Sequence, residues 1–197
     1  MKDAWYRVKA KLLTIFGDIK YSKYPPLLYY CPVTFKVSGS LTRETMLLLK
    51  PGDLVLRGNN CYLDSLFIPG AYSHTGIYTG GGSIIHAVAE GVVECDVIDF
   101  LRCDRFIVLR PNSGTDYAVS LAKSYLKSQT PYDFSFQREH PIRDDRLYCH
   151  ELGAACYPDF NVKRLVPRFF GLIKGRPAFL AESFTLNPNF SCVSRFA

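Results

Sequence analysis

The 197-residue chain has no apolar run near the roughly 20 residues needed to cross a bilayer, so no spanning segment is expected. Its first thirty residues lack the charged, apolar and small-residue blocks of a secretory signal, so no leader is expected either. There is no CxxC pair. The seven cysteines, at 31, 61, 95, 103, 149, 156 and 192, are odd in number and scattered through a chain too large to need a disulfide framework. Reduced thiols in a cytosol-like compartment are the simplest reading. There is no basic block: 24 Lys and Arg against 18 Asp and Glu leave a dispersed net charge of +6. That excludes the footprint of a nucleic-acid binder and leaves contact with an anionic membrane open. Internal repeats and low-complexity linkers are also lacking. With 48% apolar and 21% charged residues, one domain spanning residues 1–197 is expected, with no cofactor.

What is present divides at about residue 111. "KDAWYRVKAKLLTIFG" sets Trp5, Val8, Leu12 and Ile15 at helical spacing, with Lys2, Arg7, Lys9 and Lys11 on other faces and Gly17 as a stop, which predicts an amphipathic helix over residues 1–17. Packing on the domain is one reading of this helix; a peripheral membrane contact through an aromatic anchor is the other. Residues 18–40, rich in Tyr and Pro, read as an irregular connection. "LLLKPGDLVLRG" gives a Pro-Gly turn and a strand from Asp53 to Arg57, and "DRFIVLRP" gives a strand ending at Pro111. A helix over about 116–128, capped by Ser113 or Thr115, follows, and "LYCHELGAACYP" is a shorter helical run. Strands early and helices late predict an α+β fold.

Histidine is scarce, with four in the chain, and two flank the glycines of "AYSHTGIYTGGGSIIHAV". In a strand, His74, Gly76 and Tyr78 share one face, and Thr75 and Ile77 the other. A turn centred on Gly80 pairs residues whose numbers sum to 160, so His74 faces His86 at imidazole hydrogen-bonding range. Cys149 in "LYCHELG" supplies a third group. At a helix start it meets the positive end of the helix dipole, which lowers a thiol pKa and favours an imidazolium–thiolate pair with His74, oriented by His86. Alone, each of these residues reads as a satisfied sheet histidine or a buried core cysteine. Asp53 reads mainly as a turn cap, Tyr148 as shaping the oxyanion region or filling the core, and Glu151 as structural or substrate-orienting. His140 and His150 read as exposed, and Tyr132 with Asp133 as a structural corner.

"LKPGDLVLR", "YSHTGIY", "IIHAV", "FLRCDRFIVLRP", "PYDF" and "LYCHELG" together resemble the circularly permuted branch of the NlpC-like papain-fold hydrolases, the YiiX-like group. The likeness runs from about Leu47 to Cys156, with an echo in "AFLAESF", inside a catalytic core of residues 41–160. It implies a permuted papain-like fold, Cys149 as nucleophile, His74 as general base and His86 as the residue orienting the base. Bacterial YiiX-like proteins often carry a carboxylate at the position of His86. A histidine there is closer to the lecithin:retinol acyltransferase-like branch.

Three functions are consistent with these residues. The first is a cysteine hydrolase of amide or isopeptide bonds, of γ-glutamyl or peptidoglycan-peptide type, working on a peptide-like substrate through an acyl-enzyme. The second turns the same Cys-His-His triad on an acyl-lipid substrate, as ester hydrolase or acyltransferase. The third is a non-catalytic or zinc-binding module using His74, His86 and Cys149 as ligands. Zinc sites usually pair ligands at short spacing, and no such pair occurs here, so no metal is expected.

Overall fold

A computed structural model describes residues 2–22, 27–30, 35–60, 68, 70–135, 145–169 and 173–197. The predicted first helix forms as α1 (Lys2–Gly17). The connection after it is more regular than its Tyr and Pro content implies: β1 (Ile19–Ser22) and β2 (Leu27–Tyr30) pair antiparallel, and α2 (Gly39–Leu48) follows. Ser38 caps α2 by accepting a hydrogen bond from the Leu41 N–H, a start signal hidden by the lack of apolar periodicity behind it.

Beyond the Pro51-Gly52 turn come β3 (Leu54–Gly58), β4 (His74–Gly80), β5 (Ser83–Val88), β6 (Gly91–Asp96) and β7 (Arg105–Pro111); short turns join β4 to β5 and β5 to β6, and the one-turn helix α3 (Val97–Phe100) lies between β6 and β7. Next come α4 (Thr115–Lys127), α5 (Cys149–Cys156), the small strands β8 (Arg168–Phe169) and β9 (Ile173–Lys174), α6 (Ala181–Thr185) and β10 (Phe190–Phe196). The cap of α4 is Gly114 at φ +74, not Ser113 or Thr115, and it makes no side-chain hydrogen bond. Six strands form one antiparallel sheet in the order β10-β7-β3-β4-β5-β6. The sheet is thus completed by a strand well beyond residue 160. No described helix is long and apolar enough to cross a membrane.

The alternation of apolar residues gives the sheet two covered faces. Leu54, Leu56, Ile77, Ile85 and Ile107 join the cluster that includes Ala118 and Ala122 of α4 and Leu152 of α5. Val55, Ile84, Phe106 and Val108 join Val97, Phe100 and Leu101 on the other side.

The hairpin register differs from expectation by two. Gly76 pairs with His86, Ile77 with Ile85 and Tyr78 with Ile84, so the numbers sum to 162. Gly80, Gly81 and Gly82 all have positive φ, at +94, +63 and +84, and Gly80 pairs with Ser83. The turn therefore rests on Gly81-Gly82, two left-handed positions as a tight two-residue hairpin requires, with a bulge between Tyr78 and Gly80.

Because the shift is even, the faces stay matched, and Gly76 rather than His74 lies opposite His86. The missing side chain matters: a Cβ on Gly76 would sit 2.5 Å from Ile84 Cγ2 and 2.8 Å from Phe100 Cε2. Phe100 occupies the space that a side chain there would fill. Gly76→Ala is expected to cost at least about 1–3 kcal/mol by overpacking, and to part Phe100 from the two histidines. Urea unfolding beside the wild type measures it; a loss under 0.5 kcal/mol, on the order of an ordinary surface change, would mean the site repacks freely.

Candidate active site

His74 opens β4, and His86 lies two pairs along β5 on the same face. Their rings meet edge to face, with centroids 5.0 Å apart, and His74 Nε2 lies 2.8 Å from His86 Nδ1. The diagonal contact is as close as the expected direct one, because nothing projects from Gly76 between the rings. Phe100 packs against both, with ring centroids 5.6 Å from His74 and 5.4 Å from His86.

Cys149 is the first residue of α5, after Tyr148 in an extended cap conformation. The helix packs on the opposite side of the sheet from the two histidines, with Thr75 Oγ1 hydrogen-bonded to His150 Nδ1. The thiol reaches the beginning of β4, where Sγ lies 3.8 Å from the Ser73 carbonyl oxygen. Among the described residues no hydrogen bond joins Sγ to His74. Thiol and imidazole instead approach the same strand end from its two sides, and both line a cavity of about 750 Å³.

Charge states follow from this burial. Cys149 is 4% exposed, and desolvation pushes its thiol up to about 11. The backbone N–H groups of Thr75, His150 and Cys149 pull against that shift, as does the Arg57 charge. His74 is held well below 6.5, first by desolvation and then by Arg57 and the neighbouring histidines. The resting site is therefore a neutral thiol beside a neutral imidazole, not the ion pair that the helix-start position implies: desolvation outweighs the helix dipole.

Arg57 ends the motif "LKPGDLVLR" without a role that the motif assigns, yet it is the cross-strand partner of His74 and so shares its face. Its guanidinium stacks 4.6 Å from the Phe100 ring centre and donates to the Phe100 carbonyl at 3.0 Å. Strand register is the signal that finds it. Tyr132 also lines the cavity, and Asp133 beside it accepts from the Ser135 N–H and hydroxyl while its own N–H bonds the Leu147 carbonyl. This corner braces the approach to Cys149.

The weaker candidates lie off the cavity. Asp53, 1% exposed, takes the Arg110 guanidinium at 2.9 and 2.7 Å and the Lys50 N–H at 2.8 Å, tying the turn before β3 to β7. The Tyr148 hydroxyl accepts from the Phe179 N–H at 2.7 Å and anchors the "AFLAESF" segment to α5. Glu151 is fully buried. His150, expected to be exposed, is 2% exposed, because every residue of α5 is buried and the helix has no wet face. His140 lies outside the described residues. Nor do the candidates make a metal centre: the facing nitrogens of His74 and His86 are spent on each other, and among the described residues no group of three or more His, Cys, Asp and Glu side chains is placed to hold an ion.

Burial of neutral histidine has a consequence for stability. His86 and His150 are each held down to about 3, chiefly by desolvation, against an ordinary 6.5. The unfolded chain therefore binds more protons at acid pH. The stabilisation is complete above pH 6.5 or so and declines as pH falls toward 3. Between pH 7 and pH 5 each histidine is expected to remove about 2 kcal/mol. Urea unfolding at the two pH values reads the loss, and His86→Gln should remove one share; an unchanged stability at pH 5 would contradict the buried, neutral assignment.

Residues 48–194 match the model of the family described as permuted papain-like amidase enzymes, YaeF/YiiX, C92 family. Among solved structures the chain is similar to the metalloprotein YiiX from Escherichia coli O157:H7, with a TM-score of 0.60 and 18% identity over 76% of this chain and 98% of that one. At that identity the likeness carries the fold. No curated protein matches in sequence. The matched span runs from the last residue of α2 into β10, so it takes in β3 to β7, most of β10, and α5 with its leading cysteine. With an α+β permuted papain-like fold and a family match over most of its length, the chain belongs to the YaeF/YiiX, C92 family of permuted papain-like amidases, a family of cysteine hydrolases.

Proposed function

We propose that this protein cleaves an amide or isopeptide bond of the γ-glutamyl or peptidoglycan-peptide kind, through an acyl-enzyme on Cys149. The hydrogen bond from His74 to His86 carries this reading. It occupies Nε2 of His74 and leaves Nδ1 to take a proton. For Nδ1 to act as a base its lone pair must be open, which puts the ring proton on Nε2, donated to Nδ1 of His86. His86, held neutral at about 3, accepts that bond throughout the neutral pH range.

In this mechanism, rotation of the Cys149 side chain takes the thiol off the Ser73 carbonyl and toward His74. The S–H proton passes to His74 Nδ1 as sulfur bonds to the substrate carbonyl carbon. The backbone N–H groups at the start of α5 hold the resulting oxyanion. The carbon–nitrogen bond then breaks, the amine leaves with the proton from His74, and water attacks the thioester with His74 again as base. The solved relative is described as a metalloprotein. Among the described residues here no group of side chains is placed to form such a centre.

A second reading, hydrolysis or transfer of a lipid acyl group, is favoured by the apolar part of the cavity wall, where Leu13, Phe35, Ile68 and Val88 contribute. Intact-mass measurement after incubation with γ-glutamyl and fatty-acyl probes separates the two. An adduct on Cys149 from the γ-glutamyl probe supports the first reading, and one from the fatty-acyl probe alone the second.

The two histidines then separate by kcat/KM on the reactive probe. His74→Ala should lose activity almost as completely as Cys149→Ala, a fall of about 10³-fold or more, since members of one catalytic unit are not additive. His86→Ala should retain more, and His86→Gln, which can still accept from Nε2–H, should recover part of the loss. Full activity in His74→Ala would end this assignment.

A further inference from the structure

α1 is apolar on two sides, and only one of them is covered. Tyr6, Ala10 and Leu13 face the domain. The Tyr6 hydroxyl donates to the Ala89 carbonyl at 2.9 Å and accepts from the Tyr132 N–H at 3.1 Å, Ala10 is 7% exposed, and Leu13 packs against the core. The other side holds Trp5, Val8, Leu12 and Ile15, which remain 62%, 46%, 60% and 48% exposed. These are the residues whose spacing marks the helix as amphipathic in sequence, yet they are not the ones that dock. The polar bonds at Tyr6 fix which side faces outward.

Chemistry selects what covers the outer stripe. At about 100° per residue, Lys9 lies about 40° to one side of it and Lys11 about 40° to the other, with Arg7 beyond. All three are exposed, and Lys9 Nζ sits 5.6 Å from the Trp5 ring centre. An apolar stripe with an aromatic anchor and cations on both flanks matches the boundary layer of an anionic bilayer, where apolar side chains enter the acyl region and ammonium groups meet phosphates.

We propose that the outward face of α1 docks this protein on an anionic membrane surface. The residues near the end of the same helix, Leu13, Thr14 and Gly17, line the cavity that contains Cys149 and His74. Docking therefore holds that cavity within about one helix diameter, 10–12 Å, of the lipid. The association needs no chemistry at Cys149.

Trp5 is the only tryptophan in the chain, so its fluorescence reports on the stripe directly. The experiment uses the full chain with Cys149→Ala, so that no lipid is consumed and failure of binding is separate from failure of catalysis. It is titrated with vesicles of phosphatidylcholine alone and with 30% phosphatidylserine on the order of cellular anionic content, with co-sedimentation in parallel.

The expected result is a blue shift and co-sedimentation with the anionic vesicles, reversed by salt. Lys9→Gln and Lys11→Gln should each weaken partitioning about fivefold, and Leu12→Glu about tenfold or more, with far-UV circular dichroism and Tm unchanged because Leu12 is exposed. No shift with anionic vesicles overturns the proposal. So does equal partitioning into neutral vesicles, and so does a concentration-dependent blue shift with a dimeric mass in the absence of lipid, which would assign the stripe to a second copy of the chain.

Discussion

The contact between His74 Nε2 and His86 Nδ1 spends one nitrogen of each ring, and much of the surrounding structure serves to hold it. It forms across a diagonal of the β4–β5 hairpin, which only works if the residue directly opposite His86 has no side chain. Gly76 meets that condition, and Phe100 fills the volume it leaves, burying His86 and covering the face of His74 that it packs against, while His74 still borders the cavity. Removing water from two imidazoles makes their charged forms costly, and Arg57, stacked on the same phenyl ring, makes them costlier. One hydrogen bond thus requires a glycine, an aromatic plug and a neutral charge state at once.

That neutrality changes how a cysteine site of this kind works. Raising the Cys149 thiol from 9.0 to about 11 opposes ionisation by about 3 kcal/mol, more than the helix start returns. The groups that pull the other way, the N–H groups of Thr75, His150 and Cys149 and the charge of Arg57, are nevertheless ranged around the sulfur. They are stabilisers waiting for a negative charge that the resting state lacks. In the proposed mechanism their electrostatic work comes when the proton leaves sulfur and charge passes to the carbonyl oxygen, where preorganised donors cost no reorganisation.

Much of this was legible in the sequence, and the parts that were not share a cause. β3, β7, α4 and the two histidine strands follow from apolar periodicity and turn residues, and side-chain parity puts His74 and His86 on one face in any register whose pairing sum is even, as the observed one is. The register itself depended on which of three consecutive glycines carried the turn, a choice that composition leaves degenerate. α2 and β6 were hidden, the first behind a cap with no periodic run, the second inside a segment that mixes apolar and acidic residues. His150 and Arg57 were missed because their environment is made by partners distant in the chain. For α1 the spacing located an apolar stripe correctly, but the stripe that stands out in sequence is the one left in solvent.

The approach of the Cys149 thiol and the His74 imidazole from opposite sides of one strand explains why a residue other than these two matters to their geometry. His74 and Thr75 are consecutive, so they point to opposite faces of β4; Cys149 and His150 are consecutive at the start of α5. The hydrogen bond between Thr75 and His150 joins the two inner members of these pairs. It pins the first turn of the helix to the second residue of the strand, and Cys149 and His74 are then one residue away on either side of the pin. Their separation is set by two covalent steps and one buried hydrogen bond rather than by a direct contact. The thiol is thereby free to rest on the Ser73 carbonyl while its distance from the imidazole stays fixed to within a side-chain rotation.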